Sequence, residues 1–561
     1  MENDMAKKFK FKKHSKLKRY NSFREILDAA VASRPDHLAY RYKKGDGIED
    51  VTVKEFYDEV EALGASLARL GAKKSHIALI GENSYNWIVC LYSVIMSDSV
   101  LVPLDKELPA EQIVNLINEG DVDYILCDGA KELIIKSEIE SIGRVKNVIC
   151  FDRDEDDGIF LSYRRIIEEG KLLDKSEYKA MKSDPKEMKE LVFTSGTTGV
   201  SKGVMLSEFN LISEVYGGLA NTRPMDVSLS VLPYNHTYEA SCDLLISHIT
   251  GTVVCINDSL RNVKQNMKLF RPSYMFLVPL FAETFMSAII KSVDKKGKTK
   301  SFNAARKITR ALRKVGIDLR RVFFASIHKE FGGRLRRLVF GGAPLREEAG
   351  RFFDDLGFTV TGAYGITECS PGVSINDDKR TNVSAGKPIP CIEVKIESET
   401  DEIPKGAKTG IGEIMVKGDI VMLGYYKRPD LTEEVMFDGW FATGDYGYLT
   451  KDGTLMITGR KKNIIVLQNG KNIYPEEIEE YVCSVPYIDE AIVKAIRDEN
   501  GMESGLCAEI YMSTPNENAD KIMEDVREAL KSLPSYKQIR SITTREEPFP
   551  KTSTKKIKRY A

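Results

Sequence analysis

Apolar positions along the chain follow two alternating periods. Segments 22–32, 53–70, 85–96 and 110–119 carry apolar residues three and four apart and predict helices, while short apolar runs at 76–81, 100–105, 124–127 and 148–151 predict strands between them. Further runs at 191–194, 228–232, 252–256, 274–278 and 337–340 predict more strands, several of them continuously apolar, as a sheet covered on both faces requires. The alternation predicts a large α/β body. From 374 to 458 the texture changes to short strands separated by Gly and Pro, such as EVKI at Glu393, GEIMVKG at Gly412 and GTLMITG at Gly453, which predicts a β-rich subdomain. Beyond Arg460, a strand at 463–466, a helix at 475–484, strands at 490–496 and 507–511 and a helix at 519–530 predict a small α+β domain. The expected organisation is a basic extension at 1–20, a body at 21–460 that includes the β-rich part, and a C-terminal domain at 461–561.

Composition narrows the classes. A length of 561 residues suits several domains, and 42% apolar with 29% charged residues excludes collagen-like, coiled-coil and wholly disordered chains. Nine cysteines without a CxxC pair indicate neither a disulfide framework nor a zinc ribbon, and read as small buried hydrophobes. The longest uncharged stretch, 83–97, is short for a membrane span and carries Asn, Ser and Tyr, so a soluble, cytoplasmic protein is expected. The net charge of −1 argues against a dedicated nucleic-acid binder. It also hides segregation: 1–20 carries +6, 291–337 carries +13, the last eleven residues carry +5, and the remainder therefore carries −25.

The strongest chemical signal is LVFTSGTTGVSKGVMLS at 191–207. Here a strand runs into a loop of three glycines, one lysine and five hydroxyl residues, with a helix expected to begin at 207–210. Such a loop turns backbone N–H groups and hydroxyls toward phosphate oxygens, and glycine permits the close approach. Thr194, Ser195, Gly196, Thr197, Thr198, Gly199 and Lys202 are the candidate phosphate contacts. The order Ser201, Lys202, Gly203 departs from a Walker A loop. None of the six histidines shows metal-ligand spacing, and no GxSxG elbow supports a serine hydrolase.

This segment resembles the phosphate-binding signature of the adenylate-forming superfamily, which includes acyl-CoA synthetases, firefly luciferase and peptide-synthetase adenylation domains. Further motifs follow in that family's order, and the resemblance covers 22–559. LPYNHTYE at Leu232 is similar to the element beside the acyl pocket, GGAPL at Gly341 to the adenine-side loop, and YGITE at Tyr364 to the adenine and magnesium motif. FATGD at Phe441 and GRKKN at Gly459 resemble the ribose-binding and hinge motifs, and PKTSTKKIKR at Pro550 the C-terminal lysine loop. The resemblance implies ATP, Mg²⁺ and CoA as cofactor and co-substrates, with a large body and a small C-terminal domain that moves between two half-reactions.

Residue by residue, the resemblance implies that Gly341, Gly342, Ala343, Tyr364, Gly365 and Thr367 surround the adenine, where Tyr364 offers an aromatic face. Glu368 supplies a hard oxygen for Mg²⁺, together with Thr194. Asp445 and Arg460 hold the ribose, and His236 and Tyr238 line the acyl pocket. Lys461 or Lys462 is the pivot, Gly470, Lys471 and Asn472 approach the pantetheine arm of CoA, and Lys556 meets the carboxylate and α-phosphate. The catalytic set so implied is Lys556, Thr194, Lys202 and Glu368. The chain departs from the family pattern at Lys555, where Gly usually precedes the lysine, at Cys369 after Glu368, and at Asn463, near a position that is often acidic.

Between 278 and 332 lies a long basic helical segment. In FNAARKITRALRKVG, Phe302, Ala305, Ile308, Leu312 and Val315 form a stripe opposite Arg306, Lys307, Arg310, Arg313 and Lys314. This insertion resembles long-chain acyl-CoA synthetases, and with the basic N-terminus it offers peripheral membrane contact through 1–20 and 291–337. The leading expectation is a long-chain fatty acid CoA ligase. Delivery to a carrier-protein thiol, a non-catalytic nucleotide-responsive binding protein at the membrane, and a luciferase-like oxidative enzyme stand as alternatives.

Overall fold

A computed structural model describes residues 18–194, 201–222, 225–377, 381, 383–398, 403–467, 472–497, 503–513, 518–551 and 557–559. The chain forms two compact units. The first takes Met1–Glu393 and Lys417–Gly439, the second Val394–Val416 and Trp440–Ala561. The β-rich run of the sequence is thus shared between units, with 417–439 belonging to the first.

Two large sheets build the first unit. One has eight strands in the order Gly424–Tyr425, Lys202–Ser207, Met188–Thr194, Val100–Pro103, His76–Ile80, Val122–Cys127, Asn147–Cys150 and Phe160–Ser162. From Met188–Thr194 onward the neighbours are parallel. Val122–Cys127 is buried at every position, as expected for a strand covered on both faces. Helix Ala110–Glu119 supplies Ile113, Leu116 and Ile117 to the core over this sheet. Helix Val53–Arg69 starts where the sequence says it should, because Thr52 and Glu55 form a capping box.

The other sheet has nine strands: Lys387–Pro388, Gly372–Ile375, Thr359–Gly365, Arg337–Phe340, Tyr274–Leu277, Val227–Ser230, Val253–Ile256, Leu38–Lys44 and Gly47–Thr52. Its six central strands, Thr359–Gly365 through Leu38–Lys44, run parallel.

Between the glycine-rich segment and the expected helix the structure adds a strand that the sequence pattern did not mark. Lys202–Ser207 returns as a strand antiparallel to Met188–Thr194, with Thr194 opposite Lys202. Val204 and Leu206 are fully buried, and this inward alternation fixes the strand. Helix Glu208–Asn221 follows it, within the expected 207–210 window, capped by Ser207 and Asn210. Six extended residues at about 3.3 Å each put the helix N-terminus about 20 Å along the chain from Lys202.

The basic segment also differs. Helix Thr299–Lys314 does pack Phe302 and Ala305 on the core, but Arg306 and Arg310 point inward to Asp355, and Arg313 to Asp354, both on helix Glu347–Leu356. Ile308 and Val315, on the same predicted stripe as Phe302 and Ala305, are 48% and 71% exposed. The cause is Asp355, a buried carboxylate that would be costly without cationic partners. Among the described residues, no helix is long and apolar enough to cross a membrane.

In the second unit, strands Ile392–Ser398, Gly412–Gly418, Trp440–Leu449 and Leu455–Arg460 form a sheet. Strands Glu490–Arg497, Glu503–Tyr511 and Ile539–Arg545 form another, against which helices Pro475–Val482 and Ala519–Leu530 pack Ile478, Val482, Val526 and Leu530.

Candidate active site

The hairpin that carries the glycine-rich loop is closed by Thr194, whose Oγ1 donates to the Lys202 carbonyl at 3.4 Å. Residues Ser195, Gly196, Thr197, Thr198 and Gly199 lie outside the described residues. Lys202 has its ammonium 5.0 Å from the ring centre of Tyr425, an attractive placement of a cation over an aromatic face. The Tyr425 hydroxyl in turn donates to Glu368 Oε1 at 2.9 Å. Thr194, Lys202 and Glu368 are therefore joined through a residue the motifs do not contain. Burial, and next the Glu368 charge, push the Tyr425 phenol up, so it remains a donor to the carboxylate.

Tyr425 is held by backbone. Met422 N–H donates to the Glu368 carbonyl at 2.9 Å, Leu423 N–H to Met205 O at 2.9 Å, and Tyr426 N–H to Gly203 O at 2.7 Å. The segment from Met422 to Tyr426 thus straps the hairpin of one sheet to the Thr367–Cys369 turn that follows the other. Sequence patterning alone gives Gly424–Tyr425 no mark beyond a short apolar run in the β-rich stretch.

The Tyr364 motif occupies the end of strand Thr359–Gly365, with Tyr364 opposite Ser374. Gly365 permits the tight return: a Cβ there would stand 2.1 Å from the Pro371 carbonyl. Thr367 opens the turn half-buried, and Glu368 is only 8% exposed. Gly341 lies against Tyr238, since a Cβ would sit 2.9 Å from its ring. The Tyr238 hydroxyl donates to Val339 O at 3.2 Å, and its ring is 5.7 Å from Phe276. Gly342 adopts φ +79°, where a side chain would strain the backbone, and Ala343 follows it in the same loop. The GGAPL loop and the LPYNHTYE segment are therefore in direct contact. His236 is half-buried, and its carbonyl accepts from Glu239 N–H at 3.1 Å and from Ala240 N–H at 3.1 Å as the helix begins.

That helix continues as a π-helical turn, Ala240–Leu245, a form that recurs at functional sites. It buries acids the motifs did not flag. Glu239 accepts from Ser230 Oγ, and Asp243 accepts from the Tyr274 hydroxyl at 3.2 Å. Glu214, from helix Glu208–Asn221, stands 3.7 Å from Cys242 Sγ. Burial raises all three carboxyls, Glu214 to about 8. This segment thus buries carboxyls whose environment favours the protonated form. Glu239, the one acid of LPYNHTYE, was legible as a residue, but not its burial.

In the second unit Arg460 Nε lies 3.0 Å from Asp445 Oδ1, and the two residues face each other across adjacent strands. Asp445 is 5% exposed, so its carboxylate is oriented by the guanidinium. Lys461 pairs with Glu413 at 2.6 Å. Burial, then the charges of Arg460 and Arg559, lower the Lys462 ammonium pKa. Asn463, at the position that is often acidic, donates to Glu476 Oε1, so a carboxylate is present there on another element. Asn472 pairs with Val466 in a two-stranded hairpin, while Gly470 and Lys471 lie outside the described residues. Lys556 does too, but Lys551 and Ile557 on either side form an antiparallel bridge.

Among the described residues no group of three or more His, Cys, Asp or Glu could hold a metal alone. The single buried carboxylate of Glu368 fits Mg²⁺, which keeps waters and takes most of its ligands from nucleotide phosphates.

A phosphate-presenting hairpin strapped to a carboxylate turn, on an α/β body with a smaller C-terminal part, defines a nucleotide-dependent enzyme. The model of the AMP-binding enzyme family matches residues 27–426, and that of the AMP-binding enzyme C-terminal domain matches 462–561. The chain belongs to the AMP-binding enzyme family. It is 31% identical over 569 residues to long-chain-fatty-acid CoA ligase 5 of Rattus norvegicus, covering 93% of this chain and 82% of that protein. It is 27% identical over 485 residues to the long-chain-fatty-acid CoA ligase FadD15 of Mycobacterium bovis, covering 82% and 77%. Among solved structures, the anthranilate CoA ligase AuaEII with anthranoyl-AMP superposes with a TM-score of 0.79 at 18% identity over 97% of both chains. The o-succinylbenzoate CoA synthetase of Bacillus subtilis superposes with a TM-score of 0.73 at 22% identity over 95% of this chain and 96% of that chain. The fold is the adenylating-enzyme fold that the motifs implied.

The buried Glu214 gives a pH signature. Its folded-state value of about 8 lies above its ordinary value of 4.5, so the folded protein keeps a proton that the unfolded chain loses. The stability this adds is complete below about 4.5 and is lost as pH rises through about 8, at about 1.4 kcal/mol per pH unit inside that window. Replacing Glu214 by Gln should flatten the fall of melting temperature between pH 5 and pH 8 relative to the unmodified protein. Parallel curves would mean that Glu214 is already ionised.

Proposed function

We propose that the protein activates a long-chain fatty acid with ATP and transfers it to CoA, acting as an AMP-forming acyl-CoA synthetase. The observation that carries this reading is the Thr194, Lys202, Tyr425 and Glu368 arrangement on a chain that aligns over most of its length with ligases named for long-chain fatty acids.

A carboxylate is a poor acyl donor, because its oxygen is a poor leaving group and its charge repels nucleophiles. In the first step a carboxylate oxygen attacks the α-phosphorus, the bond to pyrophosphate breaks, and pyrophosphate leaves with the electron pair. The thiol of CoA then attacks the acyl carbon, loses its proton, and AMP departs. No side-chain nucleophile is required. The hydroxyls and N–H groups between Thr194 and Lys202 meet phosphate oxygens, and Lys556 donates where negative charge spreads over the α-phosphate. Glu368 and Thr194 offer oxygens to Mg²⁺, which when bound offsets phosphate charge. Tyr425 keeps Glu368 in one orientation. Asp445 accepts from the ribose hydroxyls, with Arg460 fixing its carboxylate. His236 and Tyr238 border the acyl group beside carboxyls that burial keeps neutral, which suits an apolar chain.

The domain from 461 to 561 is the mobile part of this scheme, pivoting at Lys461 or Lys462 between the half-reactions and bringing Gly470, Lys471 and Asn472 toward the pantetheine arm. The enzyme works in the cytoplasm and meets the inner face of the membrane peripherally, where its substrate partitions.

Lys556→Ala should slow pyrophosphate exchange on the order of 100 to 1,000-fold while ATP binding stays measurable; unchanged exchange would refute its role. Tyr425→Phe should raise the Mg·ATP concentration for half-maximal exchange about tenfold, the worth of a hydrogen bond to a charged group. An unchanged value would leave Tyr425 as packing alone. Lys462→Pro should preserve exchange and abolish thioester formation, and equal loss of both would contradict the pivot. AMP release with CoA across acids of increasing length should peak at long chains. A preference for acetate or benzoate, or release with a carrier-protein thiol alone, would overturn the substrate assignment.

A further inference from the structure

Seven of the sixteen strongly exposed large apolar side chains among the described residues fall between Ile290 and Phe323. Helix Thr299–Lys314 explains how they come to be outside. Its inward face carries Phe302, Ala305 and Thr309, with Arg306, Arg310 and Arg313 drawn in by Asp354 and Asp355. On the opposite side Ala304, Ile308, Ala311 and Val315 recur at spacings of four and three residues and are all exposed. Lys300, Lys307 and Lys314 run along one flank of that stripe and are exposed. The chain then turns at Gly316 and exposes Ile317, Leu319, Val322 and Phe323.

The charge on this face is therefore selective. The arginines of the segment are spent internally, Arg320 included, which pairs with Asp318 and Asp354. The cations left beside the apolar stripe are lysines, whose long stems can lie along an apolar surface while the ammonium reaches water or phosphate. An apolar stripe flanked by lysines matches the boundary of an anionic bilayer, where acyl chains and phosphates lie within about 10 Å of each other. It does not suit a symmetric pairing of two copies, which would bring the lysine rows toward each other.

We infer that the outward face from Ala304 to Phe323 is a docking surface for an anionic lipid bilayer, with Ile308, Val315, Val322 and Phe323 entering the interface and Lys300, Lys307 and Lys314 meeting the headgroups. This deepens the peripheral membrane contact proposed above and rests on it.

Co-sedimentation of the full chain with phosphatidylcholine vesicles, with and without phosphatidylglycerol, tests the surface. The expected result is binding that requires phosphatidylglycerol and weakens with salt. K300Q/K307Q/K314Q should lower the partition constant on the order of 100-fold, at roughly fivefold per lysine. I308S/V322S/F323S should also release the protein from anionic vesicles. AMP release from a dispersed fatty acid without vesicles, and the melting temperature, should stay unchanged in both variants, since none of these residues belongs to the catalytic machinery. Equal binding to neutral vesicles, retention of binding in both variants, or no vesicle binding together with a change in oligomeric size would each overturn the inference. Loss of AMP release in the unmodified protein without vesicles would instead indict the proposed reaction, so the two failures are distinguishable.

Discussion

The strap from Met422 to Tyr426 is the constraint on which the active-site arrangement depends. Three backbone hydrogen bonds fasten it to Glu368, Met205 and Gly203, and the Asn210 amide extends the grip by donating to the carbonyls of Asp419 and Val421. Each such bond adds only about 1 kcal/mol net, yet leaving a buried partner unmade costs more. The strap therefore has few alternative positions. It converts two sheets, each stable through its own core, into one frame in which a cation and a carboxylate are separated by a single tyrosine. Neither sheet could fix that separation alone, because Lys202 and Glu368 belong to different sheet edges.

The acyl element follows a different logic. Glu214, Glu239 and Asp243 would be expensive as charges at this depth, and burial shifts them toward the neutral acid. Protonated carboxyls can still hydrogen-bond, and so position Ser230 and Tyr274 around the start of the π-helical turn. Glu368 and Asp445, by contrast, are held by a tyrosine hydroxyl and a guanidinium.

Much of this was legible in the sequence. The continuous apolar runs located the parallel strands, since a strand buried on both faces has no alternation to lose. The motifs singled out Thr194, Lys202, Glu368, Asp445 and Arg460, and the structure links the first three through Tyr425 and pairs the last two. What stayed hidden was set by partners far along the chain. Lys202–Ser207 is a strand because Met188–Thr194 and Gly424–Tyr425 pair with it, and periodicity within GVMLS cannot report that. Tyr425 is 57 positions from the carboxylate it holds. Helix Thr299–Lys314 shows one apolar stripe by pattern, but its arginines are drawn inward by Asp355, a residue 45 positions from Arg310.

The division of the chain also bears on how such a protein can be taken apart. The polypeptide passes between its two compact units after Glu393, after Val416 and after Gly439. Three covalent crossings mean that no single cut, whether by a protease or by a gene boundary, frees one unit from the other. The segment beyond Lys461 leaves by one strand of chain only. Exchange of parts between relatives is therefore easy at that junction and difficult above it. The natural unit of recombination is the tail carrying Lys556, while the second unit's sheet must be inherited with the body that interrupts it.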